Sequence, residues 1–152
     1  NLTDADLITA NIVNAFARGA NLSGANLSSA NLIGANLSNA DLEGADLWAA
    51  NLRGATLFSV NLRDANLYKA SLKDALLYGA NLRNANLIES NLVNTYLSTA
   101  NLSHANLRGA DLRRADLEGA DLINANLKGA LMKGALLCNT TMPDGSVIYS
   151  GC

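Results

Sequence analysis

The sequence predicts an all-β chain wound as a quadrilateral parallel β-helix of about seven 20-residue coils, and three five-residue periodicities predict it. Divide residues 1–140 into 28 pentads: the second position is Leu in 25, failing only at Ile12, Ala17 and Met132. The fifth is Ala in 24, failing at Val60, Ser90, Thr95 and Thr140, and the first is Asn or Asp in 21. The fourth position is Gly in ten pentads and Asn or Asp in nine more.

A period of five fits neither regular element. On an α-helix each residue advances about 100°, so successive leucines would spiral over the whole surface. On a strand side chains alternate, so a spacing of five changes face at every step. A chain that turns a corner every five residues brings all the leucines inward. Each Leu then points the same way as the Ala two residues before it, while the Asn or Asp between them and the residue after Leu point outward. A tight corner needs a residue that tolerates positive φ, which explains the Gly, Asn and Asp at the fourth position. Four corners close a 20-residue coil, and coils stacked at the β-ladder spacing of about 4.8 Å give a rod roughly 34 Å long. The first wall then holds residues 1–5 and every 20-residue step from them; the second starts from 6–10, the third from 11–15 and the fourth from 16–20.

Bulk properties narrow the function. Of 152 residues, 49% are hydrophobic but only 5% aromatic, so the apolar content is small Ala and Leu units used in bulk. Eleven basic and 13 acidic residues are interspersed, for a net charge of −2, which argues against direct nucleic-acid binding. No apolar run approaches the roughly 18 residues of a membrane span. The chain opens inside the repeat, at Asn1-Leu2-Thr3-Asp4-Ala5, with no signal-peptide pattern. Catalytic spacing is absent, so the expectation is a non-enzymatic protein with no cofactor, metal or small-molecule substrate.

The pentads Ala25-Asn26-Leu27-Ser28-Ser29 and Ala110-Asp111-Leu112-Arg113-Arg114 fit the pattern A(D/N)LXX, and the chain resembles the pentapeptide repeat family over residues 1–140. That resemblance implies a right-handed coil. The ending Cys138-Asn139-Thr140-Thr141-Met142-Pro143-Asp144-Gly145-Ser146 looks like that of many cyanobacterial and plastid members, including those of the thylakoid lumen. Some family members mimic duplex DNA and protect type II topoisomerases (gyrase). Such members look strongly acidic along one surface, whereas this chain carries Arg and Lys on several walls.

Departures from the repeat mark candidate surfaces. Five of the seven first positions that are not Asn or Asp fall on the fourth wall: Phe16, Thr56, Leu76, Tyr96 and Leu136. That wall presents Phe58, Leu76, Tyr78 and Tyr96 outward, either as a contact surface for another protein or a second copy of the chain, or as a ladder of side chains stacked one coil apart. The opposite wall stacks Trp48, Tyr68 and Ile88, and Trp48 and Tyr68 join the candidate contact surface. The third has a mostly basic column, Arg53, Lys73, Arg113 and Lys133, read as a solvated face. His104, Ser103 and Asp64 sit on a convex wall rather than in a cleft, so His104 reads as a surface turn residue. The Asn-Leu-Ser triplets at Asn21, Asn26, Asn36 and Asn101 match the glycosylation sequon but arise from the repeat itself.

A solenoid needs caps at its ends. Residues 1–140 form the solenoid, and residues 141–152 a non-repeat cap in which Val147, Ile148 and Tyr149 fold over the open end. Cys138 and Cys152 flank this tail. In an oxidising compartment such as the thylakoid lumen or periplasm they would pair and tie the lid down; in the cytoplasm they would remain two free thiols.

Overall fold

The computed structural model describes residues 1–149 and 152. Each pentad makes one tight turn: the Leu carbonyl accepts the N–H of the Ala three residues on, as in Ala85 to Leu82 at 3.0 Å. The fourth residue is left-handed in every pentad, from Asp4 with φ 53° to Asn139 with φ 54°. This includes residues that disfavour the conformation, such as Thr9, Lys69, Thr99 and Arg114. Each such residue carries strain of order 1–3 kcal/mol, which persists only when the surroundings over-determine it. Here the ladder does so. The N–H of the fourth residue donates to the third-position carbonyl one coil up, as in Thr99 to Glu118 at 2.7 Å.

Every isolated bridge, from Asp6↔Asn26 to Asp121↔Thr141, is parallel and joins residues 20 apart. The chain is therefore a β-helix solenoid with four corners in each 20-residue step. First-position residues anchor both sides of the ladder: Asn101 accepts from Leu82 at 2.7 Å and donates to Ala80 at 2.9 Å. Inside, the leucines from Leu22 to Leu122 and the alanines between them form one buried column, with Leu87 fully buried. Burying each Leu contributes about 1.5–3 kcal/mol. Where a hydroxyl replaces Ala it donates to a Leu carbonyl: Ser90 to Leu87 at 2.8 Å, Thr95 to Leu72 at 2.9 Å and Thr140 to Leu117 at 2.7 Å. Among the described residues, no buried side-chain nitrogen or oxygen lacks a partner.

The first-position Asn and Asp do more than face outward. They are half-buried through most of the rod, and their Oδ1 accepts the N–H of the third residue, as in Asp46 to Trp48 at 3.0 Å and Asn101 to Ser103 at 2.9 Å. This satisfies the one pentad N–H that neither the ladder nor the turn uses. Asparagine then adds a second bond, its Nδ2 reaching one coil down: Asn66 to Asp46 at 2.9 Å, and Asn86 to Asn66 at 3.0 Å. Aspartate accepts from the coil above but has no proton to hand to the coil below.

At the C-terminal end the pattern of residues 1–140 runs on for a few positions. Thr141 and Pro143 accept from Leu122 and Asn124, at 2.8 and 3.0 Å. The chain then reverses through Gly145, so that β1 (Thr140–Thr141) pairs antiparallel with β2 (Val147–Ile148). Met142, standing at a Leu position, packs on the core. The sequence reading gave the lid to Val147, Ile148 and Tyr149, and the structure corrects it. Tyr149 is 73% exposed and Val147 39%, while Ile148 is half-buried, with β2 held by its pairing to β1.

Candidate functional site

The fourth wall holds the longest run of aromatic contact in the described residues. Phe58 and Tyr78 have ring centroids 5.7 Å apart, and Tyr78 and Tyr96 the same, with interplanar angles of 38° and 31°. The geometry follows from the repeat. Phe58 and Tyr78 are third-position residues one coil apart, and Tyr96 is the first-position residue of the next coil up. Leu76, from the pentad of Tyr78, is half-buried beside them, while Phe58, Tyr78 and Tyr96 each stay more than a third exposed. Side-by-side rings contribute about 0.5–1.5 kcal/mol per pair beyond their burial.

This strip has a backbone consequence that the residue pattern alone did not bring out. Thr56, Leu76 and Tyr96 stand where Asn or Asp would cap the third-position N–H. No acceptor meets the N–H of Phe58, Tyr78 or Ser98 among the described residues, whereas on the same wall Asn36 caps Ser38 at 3.1 Å and Asp116 caps Glu118 at 3.0 Å. The middle of the wall has exchanged caps for apolar surface. Burial, then Asp116 and Tyr96, push the Tyr78 phenol above its ordinary range. Ser98, expected to point freely outward, instead donates to Asp116 at 2.7 Å.

The second wall is built differently. Trp48, Tyr68 and Ile88 keep their caps, from Asp46, Asn66 and Asn86. Tyr68 is covered by Lys69, whose Nζ lies 5.0 Å from the ring centroid, and Lys69 also pairs with Glu89 at 3.6 Å. Trp48, 44% exposed, makes no ring pair among the described residues, so the expected second stack is not formed.

The residues around His104 are committed elsewhere. Ser103 donates to Asn101, and Asp64 binds Arg63 at 3.1 Å and Asn84 at 2.8 Å. His104 itself is an exposed left-handed corner residue. The sequon residues Asn21, Asn26, Asn36 and Asn101 all cap a serine. Among the described residues, no group of three or more His, Cys, Asp or Glu could hold a metal ion. No helix of the described residues is long and apolar enough to cross a membrane. Cys138 and Cys152 form a disulfide, with Cα atoms 5.0 Å apart, closing the hairpin onto the last coil.

A repeat-built rod with a buried Leu column and capped corners defines its class. The pentapeptide repeat profile matches eight copies of the repeat, spread over residues 1–39, 35–74, 65–103, 75–114 and 100–139. The chain belongs to the pentapeptide repeat family. It is 39% identical to the pentapeptide repeat protein Rfr23 of the cyanobacterium Cyanothece 51142, over 69% of this chain and 58% of that one, with a TM-score of 0.44. The chain thus spans little more than half the length of Rfr23. The pentapeptide repeat protein from the Arabidopsis thaliana thylakoid lumen is 25% identical over 87% and 71% of the two chains, with a TM-score of 0.29. A trypsin-treated form of QnrB1, a plasmid-mediated fluoroquinolone resistance protein, is 19% identical over 87% and 79%, with a TM-score of 0.51. No curated protein matches.

Proposed function

We propose that the protein is a non-enzymatic interaction module whose contact surface is the strip of Phe58, Leu76, Tyr78 and Tyr96, engaged by another protein or by a second copy of the chain. The observation that carries this is the missing caps. Three backbone N–H groups give up their Asn or Asp acceptors where large apolar side chains face solvent, an exchange that solubility and ladder stability both disfavour. Ring contact recovers part of that loss, and an occupied surface would recover the rest. Trp48 and Tyr68, with their caps intact, form a secondary candidate surface. The same reading takes the rod as right-handed, with about seven coils over residues 1–140 and a cap over residues 141–152.

The test is the double variant Leu76→Asn/Tyr96→Asn, which restores two of the three consensus caps. If the strip is a contact surface, partner capture or self-association falls while the thermal melt changes little. If it serves only the ladder, the melt drops and sedimentation and capture stay as in the parent.

The tail also bears on the compartment. The Cys138–Cys152 bond fits an oxidising location such as the thylakoid lumen or periplasm, and a relative of the lumen carries the same repeat. Intact-mass measurement of protein from its native source, without reductant, should give a mass two protons below the reduced form. The alternative function, DNA mimicry protecting gyrase, rests on the fold shared with QnrB1 and is opposed by the basic third wall; a gyrase-protection assay decides it.

A further inference from the structure

Opposite walls of the rod carry opposite charge. Over residues 1–140 the third wall has five basic residues (Arg53, Lys73, Arg113, Arg114 and Lys133) against Asp74 and Asp111, a net of +3. The first wall has five acidic residues (Asp4, Asp41, Glu43, Asp64 and Asp121) against Arg63 and Arg83, a net of −3. The second and fourth walls, by the same count, stand at 0 and −1. A chain of near-neutral total charge is therefore polarised across its width.

Much of this charge is unspent within the rod. Arg113 is tied to Asp111 at 2.6 Å and Arg53 reaches Asp74 only at 3.8 Å, while Lys73, Arg114 and Lys133 make no ion pair among the described residues. On the first wall, Arg63 engages Asp64 and, at 3.9 Å, Glu43; Asp4, Asp41 and Asp121 have no ion pair among the described residues.

We propose that the third wall of one copy docks on the first wall of a second copy, so that the rods associate side by side. Charge complementarity names the occupant, and pitch singles out a second copy over an arbitrary acidic partner. Both walls repeat on the same ladder step of about 4.8 Å, so with the coils level Arg53, Lys73 and Lys133 of one rod meet Glu43, Asp64 and Asp121 of the other in the third, fourth and seventh coils. Because the docking surface and its target lie on opposite walls of the same rod, the contact is heterologous and does not close. Each added copy leaves a free third wall at one side and a free first wall at the other, giving rows instead of a dimer. The apolar strip of the fourth wall takes no part.

Sedimentation velocity of the unmodified chain tests this without any variant. Raising ionic strength from about 0.01 M to about 1 M shortens the screening length from roughly 30 Å to roughly 3 Å. The weight-average sedimentation coefficient should rise with protein concentration at the low salt and return to the monomer value at the high. Two charge-reversal variants fix the surfaces. Arg114→Glu/Lys133→Glu takes the third wall from +3 to −1, and Glu43→Lys/Asp64→Lys takes the first wall from −3 to +1. Each alone should sediment as a monomer, and their equimolar mixture should associate again, through the unchanged first wall of one and the unchanged third wall of the other. Leu76→Asn/Tyr96→Asn should keep the salt-dependent part of the parent's association, which separates this contact from the fourth-wall surface. A sedimentation coefficient independent of concentration at low salt, or reversal variants that associate like the parent, overturns the proposal.

Discussion

Asn81 Nδ2 donates to Asn61 Oδ1 at 3.1 Å, one coil below, and that same oxygen caps the N–H of Arg63 at 3.3 Å. Asn61 in turn donates to Asp41 at 2.9 Å and Glu43 at 3.1 Å. One amide thus serves its own turn and both neighbouring coils. Asn61→Ala removes all of these half-buried bonds, and at about 0.5–1.5 kcal/mol each with partial replacement by water, the expected loss is about 1–2 kcal/mol. Urea unfolding with an unchanged m-value measures it; a loss below a few tenths would show the ladder to be incidental.

Leu87 is fully buried on the axis. Leu87→Asp places a carboxylate there with no cation in reach, and the expected destabilisation exceeds about 4 kcal/mol. A circular-dichroism melt at neutral pH, read against the parent, is sufficient. An unchanged midpoint would mean that the axis tolerates water.

Corners separate conformational strain from packing. Thr99 is β-branched and left-handed at φ 59°, so Thr99→Gly should gain about 0.5–1 kcal/mol, the strain relieved exceeding the added freedom of the unfolded chain. Gly44, at φ +66°, has nothing within 4 Å of where a Cβ would stand. Gly44→Ala therefore reports strain alone and should lose about 1 kcal/mol. Equal melting temperatures for the two variants and the parent would contradict the corner geometry.

Tyr78 titrates above its ordinary value of 10.0 because burial, Asp116 and Tyr96 all disfavour phenolate. The unfolded chain ionises first as pH rises, so this residue's contribution to stability is complete below 10.0 and is lost as pH rises from there through the folded-state value. Absorbance titration should show a late tyrosine that disappears in Tyr78→Phe. A parent curve identical to that of the variant would remove the stacked environment.

The Cys138–Cys152 bond closes a 14-residue separation, for which chain entropy gives about 3 kcal/mol. Cys152→Ser should speed amide exchange at Met142 and Gly145, whose bonds hold the hairpin, and leave Leu87 as protected as before. Uniform loss of protection along the rod would show the tail to be part of one cooperative unit with the core.

Core and corners were legible because they are set by side-chain size and φ tolerance, properties each residue carries alone. Leu87, Ala85 and Gly44 could be placed from phase alone. Nine corners, among them Thr9, Lys69 and Arg114, carried no such signal; there the ladder overrides local preference. The capping role of Asn61 was not legible, because it depends on which backbone N–H the ladder leaves over. Ser98 read as a free outward side chain, since its partner Asp116 lies 18 residues away across a coil boundary. The aromatic strip was visible as a phase coincidence, but Trp48 and Tyr68 looked equivalent to it until their retained caps set them apart.

The 20-residue bridge step makes the rod a device with a reading frame. Removing residues 61–80 would join in-phase coils and shorten the rod while every wall kept its chemistry. Removing only residues 61–65 would keep Leu inward and the corners left-handed, yet turn all that follows by a quarter revolution. Tyr78 would then continue the column of Arg53 and Tyr96 that of Asn51, and the cations of the third wall would move to the wall of Trp48. The core cannot detect such an error. Surface function can, so insertions and deletions in this chain are tolerated by folding in multiples of five and by recognition only in multiples of twenty.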